Sequence, residues 1–165
     1  MSLVPEEIVA ATVADMEEMD DAALIAAINA LADRQPHLAE FVVAQTEEYG
    51  DRVQEMGVNL LCSLCAMFER MPGHRVELAS AGQVERIANR RRQVLDSFIA
   101  ATGEALEQGA QRQYETQPHV FVFLAEALDH PELEAEGFSA EDSGLLFEVC
   151  AVAVEVLTEV CRPAN

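Results

Sequence analysis

Apolar residues recur along most of the chain at the three- and four-residue spacing of one helix face. The fourth predicted helix, about residues 51–71, has the clearest stripe: Val53, Met56, Leu60, Leu64 and Met67. The last predicted helix begins near Ser139 and has a similar stripe with apolar neighbours: Leu145, Val149, Val152, Val156 and Val160. We find no convincing two-residue alternation of a strand. The pattern predicts an all-α bundle of six or seven helices in one domain, residues 1–165, with the last helix the most buried.

Residues that favour helix starts separate these stripes. Asp20 or Asp21 can cap the second helix. Pro36 and Pro118 suit the first position of the third and sixth helices, because proline lacks the N–H that stays unpaired there. Ser80, followed three residues later by glutamine, can form a capping box at the start of the fifth helix.

Residues that end helices are less regular. Pro72-Gly73 ends the fourth helix. The apolar pattern of the fifth helix continues only weakly past Gly103 and Gly109, so this helix is either very long or broken near those glycines. Residues 130–138 are rich in acids, contain a proline, and are predicted as a loop.

A short motif occurs twice. Gln35-Pro36-His37 recurs as Gln117-Pro118-His119, and each motif is followed four residues later by a phenylalanine, Phe41 or Phe123. Repeated motifs at matching helix starts are typical of a duplicated helical unit. We therefore expect two structurally related halves.

A second, longer match supports this expectation. Leu60-Leu61 with Leu64-Cys65-Ala66 aligns with Leu145-Leu146 and Val149-Cys150-Ala151, at a slightly larger separation than the first motif. A three-residue insertion in a loop would reconcile the two separations. The predicted halves are residues 22–72, with helices two to four, and residues 80–161, with helices five to seven.

The two Gln-Pro motifs also carry a resemblance. The chain resembles a group of uncharacterised bacterial all-helical proteins in which a Gln-Pro pair starts a short apolar helix in each half. The resemblance covers most of residues 22–160 and implies a helical fold. It implies no activity, cofactor or catalytic residue.

The charge composition limits which kinds of partner the chain is expected to bind. The chain has a formal net charge of −20 and its basic residues are all arginines. A field of this sign repels nucleic-acid phosphate and anionic lipid, so we do not expect nucleic acid or membrane as a partner. The only basic cluster lies in the fifth helix and is expected to pair with acidic helices of this chain or of a partner: Arg86, Arg90, Arg91 and Arg92.

Location follows from the apolar segments and the cysteines. The longest uncharged stretch, Met56 to Phe68, is too short to span a bilayer and suits a buried helix. Residues 1–21 are acidic and lack the order of a signal peptide. The four cysteines are expected to be reduced core thiols, which predicts a cytoplasmic protein.

Cys62 and Cys65 form the sharpest chemical motif. Such a pair is reactive when its first cysteine lies at a helix N-terminus, where backbone amides stabilise the thiolate. Here the pair falls well inside an apolar helix, where loss of solvation would raise the thiol pKa. All-helical alkylhydroperoxidases have a similar pair followed four residues later by histidine, but this chain has Glu69 there. Core packing is the favoured interpretation, and thiol redox chemistry stays an alternative.

His37 and His119 are the other candidate site residues. Each follows a proline that starts a helix, where the helix dipole disfavours a positive charge. If the halves are related by a pseudo-twofold axis, the two histidines occupy equivalent places and could form a functional pair. The ligand spacings of zinc and di-iron sites are missing, so we expect no metal and no other cofactor.

These observations predict a non-enzymatic helical interaction or structural protein. Two very apolar long helices in a small chain suggest a homodimer or a complex with another protein. One alternative is a thiol redox protein that uses Cys62 and Cys65. Another is an acidic decoy that imitates nucleic acid and binds a basic protein.

Overall fold

The computed structural model describes residues 2–100, 115–128 and 131–164, and most of these residues are helical. The all-α prediction is confirmed. In chain order the helices are α1 (Glu6–Glu18), α2 (Asp21–Arg34), α3 (Pro36–Thr46), α4 (Asp51–Glu69), α5 (Ala81–Ala100), α6 (Pro118–Leu128), α7 (Pro131–Ala135) and α8 (Ala140–Val160), with a 3-10 turn at Glu47–Tyr49. The question of whether α5 is continuous past Gly103 lies outside the described residues.

Several helix starts follow the predicted signals. Asp20 accepts a hydrogen bond from the amide of Ala23 at 2.8 Å and caps α2. Pro36 and Pro118 are the first residues of α3 and α6. Ser80 and Gln83 exchange side-chain hydrogen bonds with each other's backbone amides, which forms the predicted capping box of α5.

Two expectations were wrong in detail. The segment predicted as an acidic loop contains the short helix α7, because Pro131 supplies a preset helical φ at its first position. The expected absence of strands also fails, because β1 (His74–Val76) and β2 (Cys161–Pro163) form a two-stranded antiparallel sheet. Arg75 pairs with Arg162 at its centre. The strands escaped the sequence pattern because three residues are too few to show an alternation.

The core is built around α4 and α8, which pack against each other, while α3 contacts both. Leu61, Leu64 and Phe68 of α4 are fully buried. Burial of side chains of this size contributes about 1.5–3 kcal/mol each. Gly57 allows the close approach, since a Cβ there would lie 3.1 Å from Val42 Cγ1 on α3 and 3.3 Å from Leu146 Cδ2 on α8.

The outer helices contact the central pair in a reciprocal way. Helix α1 precedes the predicted first half but is grouped with it from here on, and it packs on α4 and also on α6 of the second half. In the second half, α5 packs on α8 and also on α3 of the first half. The strands β1 and β2 follow α4 and α8 and join the ends of these two helices. None of the described helices is both long enough and apolar enough to cross a membrane.

Candidate functional site

Gln35, the first residue of the first Gln-Pro motif, is buried and acts on the backbone before α5. Its amide nitrogen donates to the carbonyl of Glu77 at 2.8 Å, and its side-chain oxygen accepts from the amide of Ala79 at 3.0 Å. The intervening Leu78 points outward and is 62% exposed, whereas Ala79 is fully buried. The glutamine thus binds an extended segment just before the helix.

Gln117, in the second motif, does the same to the backbone before α1. Its side-chain oxygen accepts from the amide of Val4 at 2.9 Å, and its amide nitrogen donates to the carbonyl of Ser2 at 2.9 Å. Leu3 between them is 46% exposed and Val4 is fully buried. Each half therefore contributes a buried glutamine that binds the segment which opens the other half.

A groove of about 820 Å³ lies between α1 and α6. We call it the α1–α6 groove. Val9 and Phe123 contribute to its floor and are largely buried, while most of the other lining residues are exposed. The α1 side is lined by Glu6, Val9, Ala10, Val13, Ala14 and Glu17, and the α6 side by His119, Val122, Phe123, Glu126 and Ala127.

A second groove of about 420 Å³ lies between α3 and α5, and we call it the α3–α5 groove. Its residues are the counterparts of those in the first groove. On α5 each of its six lining residues lies 75 positions after a residue that lines the first groove from α1: Ala81, Val84, Glu85, Ala88, Asn89 and Arg92. On α3 they lie 82 positions before lining residues of α6: His37, Glu40, Phe41 and Gln45.

This correspondence pairs α1 with α5. Sequence comparison pairs the second and fifth helices instead, so the structural correspondence differs from it at this helix. His37 and His119 occupy equivalent places, but each lies in a different groove and the structure does not bring them into one pocket. His37 Nδ1 is buried and lies 3.7 Å from Glu40 Oε2, beyond hydrogen-bonding distance, while His119 is exposed.

The two grooves differ in chemistry at their equivalent positions. At four equivalent positions the α3–α5 groove has a polar residue and the α1–α6 groove has an apolar one. The pairs, with the α1–α6 residue first, are Ala10 and Glu85, Ala14 and Asn89, Val122 and Glu40, and Ala127 and Gln45. The α1–α6 groove therefore keeps an exposed apolar surface that the other groove has replaced with water-compatible side chains.

The predicted pairing of the α5 arginines with acidic residues of this chain is confirmed for Arg86, Arg90 and Arg91. Arg91 is 8% exposed and lies 3.2 Å from Glu148 and 3.4 Å from Glu155, both on α8. Arg86 hydrogen-bonds to Glu159, and this bond lowers the pKa of that carboxyl. These arginines therefore attach α5 to α8 and do not form a free basic strip.

The thiols of Cys62 and Cys65 lie in the interior of α4 and are buried. Burial raises the pKa of Cys62 to about 11, while the nearby Arg34 guanidinium lowers this pKa and the Glu69 carboxylate raises it, each by less than burial does. Burial also raises the pKa of Cys65, and raises the pKa of Cys150 on α8 to about 12. Thiols held in this state are poor nucleophiles at neutral pH.

Within the parts of the chain that the structure describes, no group of three or more histidine, cysteine or carboxylate side chains is placed to hold a metal ion. The sequence pattern drew attention to the two histidines but missed the grooves in which they lie. A clue was available in the Gln-Pro motifs, since a glutamine before a helix-starting proline can be buried when it has a backbone segment to bind.

Comparisons with known proteins add no functional information. No protein-family model, no curated protein and no solved structure matches the chain.

Proposed function

We propose that this chain is a non-enzymatic helical module that binds a protein partner through its α1–α6 groove. This proposal rests on the difference in polarity between two grooves whose lining residues correspond in sequence. Val122 in the α1–α6 groove is 46% exposed at a place where the α3–α5 groove has Glu40. Exposed apolar residues that gather in one groove are typical of a surface that a partner covers.

The chemistry of the cysteines supports a non-enzymatic role. Cys62 and Cys65 are buried, and a thiol whose pKa is about 11 or higher holds only a trace of thiolate at pH 7. Four free cysteines are also consistent with a cytoplasmic location, which we retain as part of the proposal.

The homodimer stays a prediction, but the two apolar helices that suggested it now give it less support. The two apolar helices that suggested it, α4 and α8, pack against each other within one chain. Their apolar faces therefore need no second copy. Sedimentation analysis at high protein concentration tests this prediction, and a strict monomer would contradict it.

The acidic decoy also stays a prediction. It needs carboxylates arrayed on one exposed surface, but Glu148, Glu155 and Glu159 on α8 are bound to arginines of α5. Such a decoy would capture DNA-binding proteins and release them at moderate salt, because exposed charges are screened over about 8–10 Å.

Photo-crosslinking in the cells that produce the protein tests the proposed function. A photoreactive residue at Val122 lies in the α1–α6 groove, and the matched control is Ile25, which is 59% exposed on α2. We expect the probe at Val122 to form discrete adducts with another protein that the probe at Ile25 does not form. Absence of adducts at Val122, or the same adducts at both positions, would contradict the proposal.

A further inference from the structure

The rim of the α1–α6 groove is acidic while its floor is apolar. Glu6 and Glu17 on α1 and Glu126 on α6 line it together with valines and alanines, and none of the described lining residues is an arginine. All three carboxylates belong to exposed residues. Within the described residues none of the three forms an ion pair. The groove thus offers negative charge that is available to a partner.

The equivalent position in the other groove has the opposite charge. Arg92 lies where the α1–α6 groove has Glu17. The neighbouring position differs as well, because the buried Arg91 occupies the place of Met16. The α3–α5 groove has two carboxylates of its own, Glu40 and Glu85, beside Arg92. Among the described residues, the α1–α6 groove differs in combining three carboxylates with an exposed apolar surface and no arginine.

The shape of the groove fits a helix. Glu6 and Glu17 lie three turns apart on α1, which corresponds to about 17 Å along the helix axis. Helices α1 and α6 line the groove with valines and alanines. An amphipathic helix can bury its apolar face in a groove of this kind. An open groove buries one face of a helix and leaves its other face in water.

We propose, on the basis of the proposed function above, that the occupant of the α1–α6 groove is a basic amphipathic helix of a protein partner. Its apolar stripe would lie on Val13, Val122 and Phe123, and its flanking arginines or lysines would pair with Glu17 and Glu126. A second copy of this chain fits poorly. Each copy carries a net charge of −20, and three of the arginines on α5, Arg86, Arg90 and Arg91, are bound to α8.

A designed peptide tests this proposal without knowledge of the natural partner. The peptide has about 15 residues, leucines at the spacing of one helix face and arginines elsewhere. A scrambled peptide of equal composition has the same charge but no apolar face. We expect saturable binding of the amphipathic peptide, measured by fluorescence anisotropy, and at least about tenfold weaker binding of the scrambled one. Nuclear magnetic resonance shifts should centre on Val122 and Phe123.

Matched variants separate a specific groove from general charge attraction. Glu17→Lys combined with Glu126→Lys should weaken binding about tenfold. Glu47→Lys combined with Glu48→Lys makes the same change in net charge on the 3-10 turn and should weaken binding less than about twofold. Val122→Glu copies the residue of the other groove and should weaken binding although it adds negative charge, because the apolar floor is interrupted.

Three results would overturn the inference: no saturable binding, equal loss in both lysine pairs, or a dimer of the chain that the groove variants dissociate. Failure of the peptide is distinguishable from failure of the proposed function. If the probe at Val122 still forms adducts with a protein while the peptide does not bind, the groove binds a partner of other chemistry. If both experiments fail, the proposed function fails as well.

Discussion

Gln35 and Gln117 make the same pair of side-chain to backbone hydrogen bonds, each to an extended segment that opens the opposite half of the chain. Both glutamines are buried, with exposed fractions of 3% and 0%. In each case the amide donates to one carbonyl and the oxygen accepts from the amide two residues later. This arrangement satisfies backbone groups that would otherwise be buried without partners.

Replacement of either glutamine by alanine should destabilise the protein. Gln35→Ala and Gln117→Ala each leave a backbone N–H and a carbonyl without their partner, at a cost of about 1–3 kcal/mol. Urea unfolding followed by circular dichroism measures the change. Gln45→Ala, at an exposed position of α3, is the matched control and should change stability by less than about 0.5 kcal/mol. Equal effects in all three variants would mean that the buried bonds contribute nothing specific.

The cysteines should differ in reactivity according to burial. Cys161 is half-buried in β2 and should react first with iodoacetamide at pH 8 in the native protein. Cys62, Cys65 and Cys150 are buried and should react only in urea. Peptide mass spectrometry after timed labelling distinguishes the four sites. Labelling of Cys62 or Cys65 as fast as Cys161 would support the thiol redox alternative.

Alkaline pH should destabilise the protein through its buried thiols. Below about pH 9, near the ordinary thiol pKa of 9.0, Cys150 is protonated in both the folded and the unfolded states, so its contribution to stability is complete. At higher pH the unfolded thiol ionises, while burial raises the folded pKa of Cys150 to about 12 and keeps it protonated. The free energy of unfolding should therefore fall by about 1.4 kcal/mol per pH unit for this thiol.

Urea unfolding of the wild type and of Cys150→Ala at pH 9, 10 and 11 measures this effect. The chain contains no lysine, so thiols and tyrosines dominate the titration in this interval. The wild type should lose stability more steeply than the variant, by about 1.4 kcal/mol per pH unit. If the free energy of unfolding fell with the same slope against pH in both proteins, Cys150 would not be protected from ionisation in the folded state.

The ion pairs of Arg91 should matter because Arg91 is nearly buried. Arg91→Met removes the arginine that pairs with Glu148 and one of the two arginines that pair with Glu155, and should cost about 1–3 kcal/mol. Methionine is the residue that the first half carries at the equivalent place, Met16. The double variant Arg91→Met with Glu148→Ser should regain part of the loss, since one uncompensated carboxylate is gone. Unfolding in urea compares the three proteins, and no recovery in the double variant would contradict this account.

Much of the fold could be predicted from local signals. Helix starts at Pro36, Pro118 and Ser80 rest on interactions within four residues, so sequence alone defines them. The pairing of the α5 arginines with acidic helices followed from the shortage of bases in a very acidic chain. Strands β1 and β2 could not be predicted, because their stability comes from contact between segments more than 80 residues apart.

The candidate site could be predicted only in part. The sequence pointed to His37 and His119, but not to the grooves, which form where α1 and α5 cross to the opposite half. The match of α1 to α5 was missed because its separation of 75 residues differs from the 82 residues between the Gln-Pro motifs. A single ungapped alignment therefore cannot show both the match of α1 to α5 and the match of the two Gln-Pro motifs. The segments that the glutamines bind, Ser2–Val4 and Glu77–Ala79, share only their central leucine.

The reciprocal attachment of the opening segments has a consequence for how the molecule comes apart. Ser2–Val4 is bound by a glutamine of the second half and Glu77–Ala79 by a glutamine of the first. Detachment of one half therefore strips hydrogen bonds from the other. In the part of the chain that the structure describes, neither half is therefore a self-sufficient piece, and the protein should melt in a single cooperative step.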